Sequence, residues 1–170
     1  QAGGTPVIGA LAVLTVAGAA LRWRRWREPV LVGAAVLGEV LIFVTITTLV
    51  DRPRPPVPHL DAAPPTSSFP SGHTAATIVL YGGWAVLAHE HSRSALVRGL
   101  LTALAIILPV AVGFARLYRG MHFPTDVIAG ALLGLAWLAL TVRAVRLGVL
   151  HQRLRAGAPG AARRAALRHG

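Results

Sequence analysis

Five apolar stretches dominate this chain: Pro6 to Leu21, Pro29 to Val50, Thr74 to Ala88, Ala95 to Ala115 and Pro124 to Val142. A helix needs about 20 apolar residues to cross bilayer hydrocarbon, so the second and fourth suffice alone and the others need a few flanking residues. Of the 170 residues, 54% are hydrophobic and 14% are charged, against roughly 25% charged in a soluble domain. Mean hydropathy is +0.60. The polar skin of a soluble globule is missing, and so is the low hydrophobicity that keeps a chain disordered. The expected fold is all-α: an integral membrane helical bundle occupying residues 1–150, with a basic, mobile cytoplasmic tail over 151–170. Prolines 6, 29 and 124 stand where helices begin and a missing amide hydrogen costs nothing. Pro109 lies inside the fourth stretch and predicts a kink.

Cysteine is absent, which removes disulfides, thiolate metal sites and a cysteine nucleophile. All 17 basic residues are arginine and only six residues are acidic, a net charge of +11. Thirteen of the arginines fall at 22–27, at 93 and 98, and from 143 onward; four lie in the other connections. Arginine excess marks the cytoplasmic side, so the segments 51–73 and 115–123 are expected on the outer face of the cell membrane, with the C-terminus cytoplasmic. The arginine runs therefore read as a topology signal. No nucleic-acid motif or aromatic interleaving accompanies them, so nucleic acid is not an expected partner; the bilayer is.

Both outer segments are rich in groups that bind or process phosphate. Asp51-Arg52-Pro53-Arg54-Pro55 follows the second stretch, Pro70-Ser71-Gly72-His73 opens the third, and a run from Arg116 to Asp126 joins the fourth to the fifth. Arginine offers a planar fork of donors to an oxyanion, and flanking prolines stiffen its segment. Ser71 can cap the third helix, Gly72 leaves the amides of the first turn open to an anion, and His73 can share a proton there. Alone, Pro-Ser-Gly-His reads better as a helix start with an interfacial histidine. In the third cluster Asp126 can reach back to His122 across one helical turn, fixing the ring's tautomer and leaving its other nitrogen as a nucleophile. Arg116 can neutralise the oxygens of a transferring phosphoryl group. Taken by itself, the Asp–His pair reads better as a structural hydrogen bond at a helix start.

Taken in order, the three clusters resemble the type 2 phosphatidic acid phosphatase superfamily, whose pattern is Lys-x6-Arg-Pro, then Pro-Ser-Gly-His, then Ser-Arg-x5-His-x3-Asp. The resemblance runs from the second apolar stretch to the fifth. It implies a membrane lipid phosphatase that hydrolyses a lipid phosphate monoester or diphosphate through a phosphohistidine at the outer face. His122 would attack phosphorus, Asp126 would support it, and His73 would protonate the departing group. Arg54, Ser71, Gly72 and Arg116 would cradle the phosphoryl oxygens, with Arg52 or Arg119 as auxiliaries. The family needs neither metal nor cofactor, and its substrates are phospholipid or polyprenyl phosphates. Two departures stand out: Thr47 occupies the position of the lysine, and Ala115 that of the serine before Arg116. They leave a crippled, binding-only or scaffold homologue as the alternative. A soluble vanadate-dependent haloperoxidase shares such a pocket, but five apolar stretches oppose it. The family core has six membrane helices with its first motif ending the third, whereas here that motif ends the second. One leading helix is therefore expected upstream.

Other residues carry weaker signals. Glu39, ionisable within an apolar run, is either functional or bonded to Thr45-type hydroxyls or a tryptophan. Gly130 and Gly134 form a small-residue face expected to pack within the bundle. Asp51 is expected to orient the neighbouring arginines, and His59 and Asp61 either touch substrate or sit in a solvated loop. Trp23 and Trp26 fit an interfacial anchor. His89, His91, His151 and His169 fall on the cytoplasmic side, away from the chemistry.

Overall fold

In a computed structural model the described residues are 10, 13–15, 17, 18, 21 and 27–166, with side chains to Gln152. They form four long helices and no strand: α1 (Arg27–Val50), α2 (Gly72–His91), α3 (Ala95–Tyr118) and α4 (Pro124–Ala166). The stretch Pro6 to Leu21 lies largely outside the described residues. Those described within it are helical, and the Thr15 hydroxyl accepts a hydrogen bond from Trp84 Nε1 at 2.9 Å. Trp23, Trp26 and His169 lie outside the described residues.

Helix α2 is the hub of the bundle, packed against α1, α3 and α4. Its central position explains its composition. Thr74, Ala75, Thr77, Ile78, Val79, Leu80, Gly83, Leu87 and Ala88 are buried, so α2 meets protein on most sides. α1, α3 and the segment Pro124–Gln152 of α4 are long and apolar enough to cross a membrane, whereas α2 does not reach that standard. A helix screened by its neighbours does not need an apolar surface of its own. α3 is the opposite case: only Pro109 and Gly113 are buried, while Leu100, Ile106, Ile107, Val110 and Phe114 are exposed. So large an exposed apolar face belongs in lipid.

Small residues set the helix spacing. A Cβ on Gly130 would collide with the Ser71 carbonyl, and one on Gly134 with the Ala75 carbonyl, so α4 closes directly onto the start of α2. This is the intramolecular packing expected for that pair. Gly38 likewise admits the Trp137 ring, whose Nε1 donates to the Ala35 carbonyl at 2.9 Å. At the far end of the bundle Glu90 Oε1 accepts from Arg27 and Arg146, both at 3.1 Å, and His91 Nε2 lies 3.1 Å from the buried Glu28.

Pro124 is the first residue of α4, as its missing donor allows, and α3 runs as one helix through Pro109. α4 continues helically to Ala166, well past Val142. Glu39 is 2% exposed with no partner for Oε1. The partners expected for it are engaged elsewhere: Thr45 donates to Leu41 O, and Trp137 to Ala35 O.

Candidate active site

The three polar clusters converge at one end of the bundle, joined mainly by backbone contacts. The Ser71 amide donates to the Asp126 carbonyl at 2.9 Å, tying the start of α2 to the first turn of α4. The segment after α1 folds against the segment before α2: Ser68 N donates to Arg52 O at 2.9 Å, Arg52 N to Ser67 Oγ at 3.0 Å, and Ser68 Oγ to Pro53 O at 2.9 Å. Asp51, exposed and at φ 43, turns the chain out of α1. Asx residues tolerate this left-handed backbone, and among the described residues Asp51 forms no ion pair with the arginines it was expected to orient. The tight turn after α3 uses Gly120 at φ 69, where a side chain would also strike Val57 and Pro58.

His122 is 6% exposed, and its Nδ1 lies 2.7 Å from the Ser68 carbonyl oxygen. A carbonyl can only accept, so Nδ1 carries the hydrogen and Nε2 keeps its lone pair. The tautomer is thus set by Ser68. Asp126, expected to hold this nitrogen directly, stands 3.8 Å away, close enough to stabilise positive charge on the ring without bonding it. Its oxygens are committed elsewhere, Oδ2 to the Phe123 amide at 2.8 Å and Oδ1 to Arg52 Nη1 at 2.6 Å. The first of these caps α4 in the manner of a third-position acid reaching back to the residue before the helix.

The cations divide by task. Arg52 also bonds Thr125 Oγ1 at 2.8 Å and stacks 4.3 Å from the Phe123 ring centre, so its guanidinium pins α4 to the end of α1. Arg54 donates to the Met121 carbonyl at 2.8 Å and more weakly to Thr66, while its buried Nε has no partner. Desolvation lowers its pKa, against an opposing pull from Asp126; held by neutral carbonyls, its charge remains available to an anion. Arg116 Nη2 lies 3.2 Å from each ring nitrogen of His73. Arg119 is turned outward onto Asp61.

His73 sits in the polar layer just before the apolar run that starts at Thr74. Burial first, then Arg116, His122 and Arg54, push it down to about 4. Burial also lowers His122, partly offset by its bond to Ser68. Both shifts favour the neutral rings. Ser71 stands at the N-cap of α2, but its hydroxyl pairs with Thr74 Oγ1 at 3.0 Å and does not cap the helix. The Cβ direction of Gly72 is filled by the Phe43 ring. Thr47 is buried and donates to its own helix at Val44 O, and Ala115 brings no donor. His59 Nε2 lies 3.1 Å from Pro55 O within the loop. Ser68 was not among the residues read from the sequence, since nothing in a lone loop serine signals that its backbone oxygen will orient a ring.

The family model of the PAP2 superfamily matches residues 28–148. The chain belongs to the PAP2 superfamily. Among PAP2 relatives, the decaprenylphosphoryl-5-phosphoribose phosphatase of Mycobacterium tuberculosis is 32% identical over 127 residues, covering 72% of this chain and 64% of that protein. The undecaprenyl-diphosphatase of Sulfolobus acidocaldarius is 37% identical over 106 residues, 62% of this chain and 47% of that one. This chain thus spans 64% and 47% of the length of these curated relatives. The crystal structure of a transmembrane PAP2 type phosphatidylglycerolphosphate phosphatase from Bacillus subtilis superimposes with a TM-score of 0.73 at 26% identity, covering 82% of this chain and 69% of that one. The PAP2 fold and the exposed apolar helices together make this an integral membrane protein with an all-α bundle.

Proposed function

We propose that the chain is a metal-independent membrane lipid phosphatase acting through a phosphohistidine. The observation that carries this is the His122 tautomer: with Nδ1 donating to Ser68 O at 2.7 Å, the free lone pair belongs to Nε2, the nitrogen a phosphorus electrophile needs. Around it Arg54 and Arg116 supply positive charge, and the first turn of α2, with no side-chain cap at Ser71, supplies amides past Gly72. These groups favour the charge that develops on the equatorial oxygens during phosphoryl transfer. Nε2 attacks phosphorus, the P–O bond to the lipid breaks, and His73, protonated as the phosphate binds, gives that proton to the departing oxygen. Water then attacks the phosphohistidine with His73 as base. Asp126 stabilises the charged His122 ring and, through Arg52, keeps the end of α1 in register with α4.

The substrate class, a phospholipid or polyprenyl phosphate, is supported by relatives named for decaprenylphosphoryl and undecaprenyl compounds. The arginine distribution supports placing the site on the outer face of the cell membrane, the C-terminus in the cytoplasm and the basic residues 151–170 as a cytoplasmic tail. Thr47, bonded to its own helix where the family has lysine, favours one competing reading: a homologue that binds lipid phosphate without turnover.

Phosphate release decides between the two. The purified protein is expected to hydrolyse a lipid phosphate in the presence of a metal chelator, His122→Ala to reduce the rate by at least about 10³-fold, and Arg98→Ala to match the parent. Equal rates for His122→Ala and the parent would exclude the phosphohistidine mechanism.

A further inference from the structure

Asp61 belongs to none of the three clusters, yet two arginines of the site hold its carboxylate. Its oxygens lie 2.7 and 2.6 Å from Arg119 Nη1, and Oδ2 lies 3.7 Å from Arg116 Nη1. The hydrogen bond from Arg119 keeps the Asp61 carboxyl below the usual carboxylate range, so an anion occupies this spot at neutral pH. The other terminal nitrogen of Arg116 lies against His73. One guanidinium thus spans from the His73 ring to the Asp61 carboxylate. Next to that carboxylate lies a cavity of about 380 Å³ lined by Leu60, Asp61, Phe114, Ala115, Tyr118 and Arg119. Phe114 and Tyr118 are exposed on the lipid-facing helix α3. Moving away from His73, the order is cationic pair, then apolar wall, which is the order of phosphate and hydrocarbon in the leaving half of a lipid diphosphate.

We infer that Arg119 and the outer end of Arg116 form a second oxyanion subsite for the leaving phosphate of a lipid diphosphate, and that Asp61 is its resident occupant, displaced when that phosphate arrives. The inference rests on the phosphatase reading and narrows its substrate to diphosphates over monoesters. As His122 Nε2 bonds to the terminal phosphorus, the bond from that phosphorus to the bridging oxygen breaks. The electron pair stays on the bridging oxygen, which takes the proton of His73 and leaves as the lipid monophosphate between Arg116 and Arg119. Water then replaces Nε2 at phosphorus, passes a proton to His73 and releases phosphate. Displacing Asp61 is inexpensive because the pair is solvent-exposed, with side chains 29% and 47% accessible for Asp61 and Arg119, and exposed ion pairs contribute little. A phosphate brings more charge and more acceptor oxygens to the same arginines.

Direct binding tests the subsite without requiring turnover. Titration calorimetry of the full chain in detergent compares methylphosphonate with methylenediphosphonate, whose P–C–P bridge the mechanism does not cleave. The diphosphonate is expected to bind about tenfold more tightly to the parent, as one additional charge-assisted contact allows. Arg119→Gln should erase most of that preference, and Asp61→Asn should enlarge it several-fold because the competing carboxylate is gone. Equal affinities of the parent for the two probes, or parallel changes for both probes in the two variants, overturns the subsite. If Arg119→Gln loses its cooperative thermal transition, Asp61→Asn decides alone, and an unchanged preference there is fatal. Lack of turnover on every lipid phosphate would remove the phosphatase reading, whereas the calorimetric comparison still rules on the subsite.

Discussion

The two imidazoles of the site are held neutral by their surroundings, and that has a consequence for binding. His73, pushed to about 4 chiefly by burial and then by Arg116, is unprotonated at neutral pH and by itself has no imidazolium proton to give. A bound phosphate adds negative charge beside the ring and draws the Arg116 guanidinium toward its own oxygens, and both changes favour the imidazolium. Binding of phosphate at pH 7 is therefore expected to take up about one proton, measurable by calorimetry in buffers of different ionisation enthalpy; uptake indistinguishable from zero would remove His73 as the acid. The same depressed values affect stability. The unfolded chain protonates its imidazoles below about 6.5, while the folded protein resists until lower pH. The contribution of the neutral rings is thus fully present above about 6.5 and is lost as pH falls through the folded values. Denaturation scans at pH 7 and pH 5 should show Tm falling with acidification. At this scale the sequence offered candidate groups, which the fold brings together at one end of the bundle, but not their partners. It offered Asp126 as the residue orienting His122, and the group within hydrogen-bonding distance is the carbonyl of Ser68. A backbone oxygen has no signature in a sequence, because every residue carries one.

Among the elements, α2 and α4 approach closely at Gly130 and Gly134, and the candidate site depends on it. The Ser71 amide reaches the Asp126 carbonyl only because Gly130 leaves no atoms between the two helices. Gly130→Ala places a methyl group against backbone that cannot rotate away, a misfit of about 1–3 kcal/mol. At about 2–4 °C per kcal/mol for a chain of this size, Tm should drop measurably. KM for a lipid phosphate should rise as Ser71 and Gly72 shift; an unchanged Tm would show that the helices have room to separate. The helices themselves were legible from runs of apolar residues, with Ala95 and Pro124 beginning α3 and α4 as read. Their centre was not. The modest apolarity of α2 looked like a short span, and in the bundle it marks the helix that the others surround.

For the molecule as a whole, charged groups among the described residues gather at the two ends of the bundle, with the buried Glu39 of α1 the exception. About 25 Å along α2 from His73, Glu90 accepts from Arg27 of α1 and Arg146 of α4, clamping three helices at the end away from the site. Glu90→Gln removes the charge from half-buried contacts and should cost about 1–3 kcal/mol, seen as a lower Tm in detergent. Because the clamp is so distant, kcat/KM should stay within about twofold of the parent; a large loss of activity would mean that the two ends are mechanically coupled.

By itself the sequence determined the solvent, the helix count over the described region and the family, because apolar run length and three ordered motifs are local properties of the chain. Only the tertiary structure decided which groups share work: that Arg52 holds Asp126, that Ser68 orients His122, and that Asp61 reaches across 58 residues to Arg119. These are contacts of loops folded over the bundle. Their geometry depends on how closely the helices approach, which no linear pattern encodes.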